Sequence, residues 1–366
     1  MKHTKIILVI DSFTTPNAGT EGQVTTLINS LGSSLFDIEL VVLGKMMDDA
    51  LLPFECTVHH FKNFSIKNPL SWLKFFNLCR LRRIKKETVF QTYFIDASIC
   101  TPLIAKLLGA PCIVSRRDMG YWYTPTLLFV LRIVSKLTTG FLVNSNAVGD
   151  LINEKEGASR DKIKVIYNGY KQLGRANAVD DKMAKLIDEI KTVKVVLVAN
   201  IRPVKRIEDA IRALKFITAT NVHLFVVGGG ETSALKTLAE QLKVDARVTL
   251  LGSQEAIPSL LSLMDIGLLC SESEGYSNAI LEYQFAKLPV VCSYTGGNIE
   301  AVEHEVDGLH FDVGNIELMA KQLECLCIDP DKRKEMGLKG HQKAVMRHNV
   351  ENMVTSHVRL YKKALR

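Results

Sequence analysis

Two glutamates, Glu274 and Glu282, bracket a Gly-Tyr-Ser-Asn turn in the stretch SESEGYSNAILEYQFAKLPVVCSYTGGNIE, residues 271–300. Residues 268–270 read as the end of a strand. Gly275 then opens a helix whose first backbone amides have no intrahelical acceptor, and such a terminus attracts anions. Tyr276, Ser277 and Asn278 complete the turn. Glu282 falls two turns below Glu274 on a similar azimuth, where a carboxylate can accept two hydroxyls of a ribose. A second turn, Gly296-Gly297, lets backbone approach closely on the same rim. Anion site, diol acceptor and Gly-rich rim together imply a nucleotide sugar. The plain alternative is a surface helix with two solvated glutamates, which leaves the flanking pieces unexplained.

Further segments end strands in the same way. ANIRPVKR, residues 199–206, follows a strand-like run, and cations there would neutralise a departing diphosphate. Lys205 and Arg202 are the candidates; a solvated basic turn is the alternative. Gly228-Gly229-Gly230-Glu231 lacks the third glycine and the spaced acid of a dinucleotide fingerprint. RVTLLG, residues 247–252, reads as a buried strand with an exposed turn after Gly252. In TTPNAGTEG, residues 14–22, Gly19 and Thr20 can set an amide against phosphate at a helix start. Alternatively, Thr20 or Glu21 caps a helix beginning near Gln23. SRRDMGYW, residues 115–122, offers Arg116, Arg117, Asp118 and aromatics, a set that suits a polar or anionic acceptor. Asp118 fits an ion pair to either arginine better than direct catalysis. Asp96, after TVFQTYFI, is a second carboxylate at a strand end.

These loops need rigid elements behind them. Short β-branched runs (KIILVI, IELVVL, TVFQTYF, CIVSR) alternate with amphipathic segments such as 24–35 and 69–84, the βαβ rhythm of a doubly wound parallel sheet. A polar stretch at 171–182 reads as a linker. The rhythm restarts with VKVVLVAN, VHLFVVGGG, DIGLLC and PVVCS, and a helical pattern closes the chain at 350–365. The 366 residues, 47% hydrophobic, suffice for two domains with full cores. The apolar run at 6–10 is too short for a signal peptide. The eight cysteines show no Cys-x-x-Cys pairing, as expected of reduced thiols in the cytoplasm. No metal-ligand spacing occurs among the histidines, so no metal is expected.

The ordered pieces resemble a known family. A glutamate, seven residues and a second glutamate, with Gly275 after the first and Gly-Gly-x-x-Glu downstream, is similar to the retaining glycosyltransferases of family four. The likeness is strongest over residues 190–315. It implies the α/β GT-B fold, two Rossmann-like doubly wound parallel-sheet domains facing across a cleft. An acceptor-binding domain would occupy residues 1–172 and a nucleotide-sugar-binding domain 173–348, with a helix at 349–366 crossing back to the first. The resemblance implies a donor site of Gly19, Thr20, Asn200, Gly229, Gly252, Gly275, Tyr276, Ser277, Asn278 and Glu282. Glu274, Lys205 and Arg202 would be the catalytic set. Arg116, Arg117, Asp118 and Asp96 would lie on the acceptor side. Lys205 matches the family's lysine, whereas Asn200 stands where its arginine is usual. Either Arg202 replaces that arginine or the diphosphate is held differently. The histidine many members carry near residue 118 is missing.

The implied activity is transfer of a sugar from a nucleotide-diphosphate sugar to a hydroxyl of a lipid-linked cell-surface glycan, without metal or cofactor. A nucleotide-sugar epimerase and a non-catalytic sugar-nucleotide-binding subunit remain alternatives. Net charge is +7, and residues 1–175 carry 22 basic and 14 acidic side chains against 24 and 25 in the remainder. Within residues 62–86, Leu70, Leu73, Phe76 and Ile84 are expected to face the core. Trp72, Phe75 and the cations would then face solvent as an interfacial binder. An anionic membrane surface, rather than nucleic acid, is the partner expected, with the protein peripheral at the inner face of the plasma membrane.

Overall fold

A computed structural model describes residues 4–16, 19–31, 36–82, 87–170, 179–218 and 221–366. Ala18, most of the expected linker (171–178), and Arg83, Ile84, Lys85 and Lys86 lie outside these residues. The chain divides into two compact units, residues 1–171 with 348–366, and residues 172–347.

The first unit runs β1 (Thr4–Ile10), α1 (Gly19–Leu31), β2 (Phe36–Val42), β3 (Thr57–His60), α2 (Pro69–Arg82), β4 (Thr88–Tyr93), α3 (Ile95–Leu108), β5 (Cys112–Arg116), α4 (Pro125–Leu137), β6 (Gly140–Val143), α5 (Asn146–Lys155) and β7 (Ile163–Val165). Its parallel sheet has the order β3-β2-β1-β4-β5-β6-β7. Ile6, Leu8 and Ile10 pack on one face of the sheet, and Ile7 and Val9 on the other. Burial on both faces explains why β1 is a continuous apolar run rather than an alternating one.

The second unit runs α6 (Asp181–Glu189), β8 (Val193–Val198), α7 (Ile207–Ala213), β9 (Val222–Val227), α8 (Ser233–Gln241), β10 (Val248–Gly252), α9 (Ile257–Leu261), β11 (Ile266–Leu269), α10 (Asn278–Phe285), β12 (Val290–Ser293), α11 (Asn298–Ala301), β13 (Gly308–Phe311), α12 (Ile316–Ile328) and α13 (Pro330–Arg347). Its parallel sheet has the order β10-β9-β8-β11-β12-β13. Each unit is thus a Rossmann-like doubly wound domain. The strand order reverses between β1 and β4 in one sheet and between β8 and β11 in the other. Open α/β sheets bind ligands beyond the strand ends at such points.

The last helix, α14 (Val350–Ala364), is part of the first unit. Met353 and Tyr361 are buried with β1, β2 and β4. The Tyr361 hydroxyl donates to Gln91 Oε1, and Gln91 Nε2 donates to the Tyr93 hydroxyl at 2.7 Å and Ser115 Oγ at 3.1 Å. A buried polar ladder of this kind fixes the helix in one register, because leaving any member unpaired is costly.

Two expectations need correction. The helix after Glu274 begins at Asn278, not Gly275, with Ser277 at its N-cap position, so Glu274 lies in the preceding loop and shares no helical azimuth with Glu282. The second concerns α2, which is rotated from the expected facing. Phe75 is fully buried, whereas Leu70 and Leu73 are 65% and 55% exposed. The cause is an aromatic cluster: Phe61 and Phe64 each meet Phe75 edge-to-face with centroids 6.0 Å away. The Trp72 indole donates to the Ile66 carbonyl at 2.8 Å and holds that ring against the same segment.

Candidate functional site

In the second unit, the loop after β8 and the loop after β11 meet. Lys205 Nζ donates to Glu274 Oε1 at 2.6 Å, with both side chains mostly buried. The backbone closes around the pair. Glu272 N donates to the Val204 carbonyl at 2.8 Å, and the Cys270 thiol donates to the Lys205 and Arg206 carbonyls at 3.3 and 3.1 Å. Arg206 takes φ +49° to turn from the lysine into α7, and its Nε holds Asp209 at 2.6 Å. Arg202 opens this turn, exposed and without an ion-pair partner among the described residues.

The glycine turns set the floor. Gly297 N donates to the Glu274 carbonyl at 3.0 Å, and a Cβ at Gly297 would sit 2.0 Å from the Gly275 carbonyl oxygen. Any side chain there would push the Glu274 loop off the β12 end. Gly228 takes φ +152°, and a Cβ would fall 2.0 Å from the Ala199 oxygen. Asn200 Oδ1 accepts from Gly229 N at 3.3 Å, and Gly228 N donates to Gly252 at 2.8 Å. Asn200, Gly229 and Gly252 therefore form one contiguous rim, with Asn200 tying the loops together rather than supplying charge.

Glu282, in the second turn of α10, has no hydrogen-bond or ion-pair partner among the described residues, and burial pushes its carboxyl up to about 7. An unpaired buried acid of this kind is poised to accept hydroxyl donors. Tyr276 and Ser277 are each 5% exposed, so their side chains support the turn. Sequence reasoning missed Tyr283, whose hydroxyl accepts from Val198 N at 2.6 Å and donates to the Leu268 carbonyl at 3.1 Å. It clamps β8 to β11 directly beneath the site.

In the first unit, Asp11 ends β1 and accepts from Ile95 N, Asp96 N and Ala97 N at 2.9, 2.9 and 2.7 Å. It caps α3 and sets Asp96 at that helix's first turn. Burial pushes Asp11 up to about 6 against the pull of those amides, and also raises Asp96. Gly19, at φ +50°, and Thr20 begin α1, and Glu21 Oε1 accepts from Thr14 N at 2.6 Å, closing the loop after β1.

Arg116 does not face an acceptor. It is 4% exposed and forks onto Glu156 at 2.7 and 3.1 Å, while its NH1 donates to Ser98 at 2.8 Å. The Tyr123 hydroxyl also donates to Glu156. Arg116 ends β5, and Arg117, one residue beyond the strand, is half-buried. Arg117 donates to Asn168 Oδ1 and has no carboxylate partner among the described residues; burial lowers its pKa. Asp118 pairs with neither arginine. Its Oδ1 accepts from Gly120 N and the Trp122 indole, both at 2.8 Å. Among the described residues, no cluster of three or more His, Cys, Asp or Glu side chains could hold a metal.

Comparison with known proteins fits this geometry. Residues 180–343 match the family model described as glycosyl transferases group 1. The UDP-Gal:alpha-D-GlcNAc-diphosphoundecaprenol alpha-1,3-galactosyltransferase of Escherichia coli is 27% identical over 313 residues, 78% of this chain and 79% of that one. The N-acetyl-alpha-D-glucosaminyl L-malate synthase of Bacillus anthracis is 29% identical over 46% of this chain and 45% of its own length. Among solved structures, Anabaena HepE in complex with UDP is 19% identical, with TM-score 0.84 over 98% of this chain and all of the other. A Rickettsia africae glycosyltransferase, also 19% identical, gives TM-score 0.86 over the full length of both. The fold is therefore that of the GT-B proteins, and residues 180–343 are similar to the glycosyl transferases group 1.

Proposed function

We propose that the protein moves a sugar, with retention of anomeric configuration, from a nucleotide-diphosphate sugar to a hydroxyl of a lipid-linked cell-surface glycan. The observation that carries this reading is the Lys205–Glu274 pair at the strand switch point, with the unpartnered Glu282 below it. Glu282 accepts the ribose hydroxyls, the Gly228–Gly229 and Gly252 turns line the donor, and Glu274 meets the sugar. Lys205 and Arg202 take the charge that grows on the departing diphosphate, which is where preorganised cations lower a barrier most. The acceptor oxygen bonds to the anomeric carbon on the face the leaving group vacates. The bond to the diphosphate oxygen breaks with its electron pair, and that oxygen takes the acceptor's proton. No protein base is needed in this reading.

The first domain takes the acceptor, with Arg117, Asp96 and Asp118 at its strand ends. The relatives include an enzyme named for a diphosphoundecaprenol-linked acceptor, which favours a lipid carrier. Among the described residues, no helix is long and apolar enough to cross a membrane. The neighbouring helices α2, α3 and α4 instead expose Leu70, Leu73, Leu81, Leu107, Phe129 and Ile133. They carry Lys74, Arg80, Arg82, Lys106, Arg132 and Lys136, against Asp96 alone among acids. Apolar side chains set among cations suit an anionic lipid surface. The test is to offer the protein a panel of nucleotide sugars and undecaprenyl-diphosphate glycans in anionic vesicles, and to identify products by mass spectrometry. Acceptor-dependent gain of one sugar is expected. Donor turnover without acceptor would favour an epimerase, and binding without turnover a non-catalytic subunit.

A further inference from the structure

Behind the Gly296-Gly297 turn, the second unit carries a recess of about 610 Å3 that the donor-site reading does not use. That lies within the roughly 300–1,000 Å3 of small-ligand clefts. It lies against the edge strand β13, α11 and the last turns of α13, and its walls include Tyr294, Ile299, His304, His310, Lys343 and Arg347.

His310 is the unusual member. It is 9% exposed, and its Nε2 has no hydrogen-bond partner among the described residues. Its other ring nitrogen bonds the Val302 carbonyl, and burial pulls its pKa down to about 4. The ring is therefore neutral at physiological pH, and Nε2 is an acceptor with nothing to accept. Buried polar atoms of this kind are rare in folded proteins and call for a partner.

The walls around that nitrogen fit a sugar ring. The Tyr294 ring is 53% exposed and stands 5.4 Å from His310. His304 stacks on His310 at 5.5 Å, and Ile299 is 41% exposed. The charges do not favour a phosphate. Lys343 pairs with Asp307, Arg347 donates to the Glu300 carbonyl at 2.8 Å, and Glu300 and Glu303 stand on the rim. We infer that this recess is a second carbohydrate subsite, taking a neutral pyranose unit of a glycan, with a sugar hydroxyl donating to His310 Nε2 and the ring face lying on Tyr294. Tyr294 directly precedes Thr295, whose hydroxyl donates to the Glu272 carbonyl at 3.1 Å, so an occupant sits one residue from the donor rim. The inference rests on the recess itself and does not depend on the donor assignment.

The test is saturation-transfer NMR on the full chain with methyl glycosides of glucose, galactose, mannose and N-acetylglucosamine at millimolar concentration. At least one should receive saturation and shift the 15N resonance of His310 Nε2. Its affinity should fall about fivefold or more in Tyr294→Ala and in His310→Phe, the loss expected of one hydrogen bond or ring contact. It should persist in the donor-site variant Glu274→Gln. Tyr294 is exposed, so its variant keeps the test decisive if His310→Phe does not fold. The inference is overturned if no glycoside receives saturation. It is also overturned if binding survives Tyr294→Ala but is lost in Glu274→Gln, or if inorganic phosphate displaces the glycoside.

Discussion

The Lys205 ammonium and the Glu274 carboxylate share a 2.6 Å hydrogen bond although 68 residues separate them in the chain. The bond joins the two loops that leave β8 and β11, the strands at the switch point of the second sheet. A charge pair at that place holds both groups ready without committing either to the fold. In the proposed reaction the cation turns to the diphosphate and the acid is left to the sugar.

Replacing Lys205 by alanine should lower turnover by about two to three orders of magnitude, as for loss of one preorganised electrostatic group. Glu274→Gln should also reduce turnover while leaving nucleoside diphosphate affinity within about threefold, below one typical net hydrogen bond. Because the two side chains act as a unit, the double variant should cost less than the product of the singles. Steady-state kinetics on the four proteins checks this. Full additivity would mean that the observed bond has no part in catalysis.

Glu282 makes a prediction about protons. Its carboxyl, pushed up to about 7 by burial, is partly protonated near neutrality and must ionise to accept two ribose hydroxyls. Binding of a nucleoside diphosphate at pH 7 should therefore release protons, and affinity should rise from pH 6 to 8. Calorimetry in buffers of different ionisation enthalpy measures the release. Glu282→Gln should remove the part due to this residue, and Glu282→Ala should weaken binding by about 1.5–3 kcal/mol. Unchanged affinity in the alanine variant would sink the assignment.

The same residue predicts a pH effect on stability, with a definite sign. Its folded pKa lies above the ordinary 4.5, so the folded state holds the proton more tightly and stability falls as pH rises between those values. Glu282→Gln should flatten that fall and be the more stable protein above pH 7, by on the order of 2 kcal/mol. Urea unfolding of both proteins at pH 5 and 8 checks it.

Arg116 should behave as part of the core. Arg116→Met leaves the buried Glu156 without its cation, which costs about 3–5 kcal/mol. Arg117→Met removes no ion pair and should leave stability within about 1 kcal/mol while weakening an anionic acceptor. Chemical denaturation and acceptor KM separate the two. A stable Arg116→Met protein with altered acceptor KM would reverse the assignment.

Much of this was legible in the sequence because it is local. The βαβ rhythm and the Gly-Gly turns follow from runs and spacings. What was not legible depends on contacts across the fold. Whether Arg116 or Arg117 turns inward depends on Glu156, 40 residues away. The facing of α2 was misread because Phe61 and Phe64, outside the helix, capture Phe75. The cap of Asp11 on α3 spans the sheet, and no local pattern announces it. The start of α10 at Asn278 was missed because a glycine followed by polar residues reads as a helix opening, whereas the Glu274–Gly297 backbone bond keeps that segment a loop.

The most direct measurement is product analysis with an α-linked nucleotide sugar and a lipid-linked glycan acceptor. The account predicts one nucleoside diphosphate released for each sugar transferred, an α-linkage by NMR in the product, and no turnover when acceptor is omitted. A β-linked product, or conversion of the donor without acceptor, would contradict it.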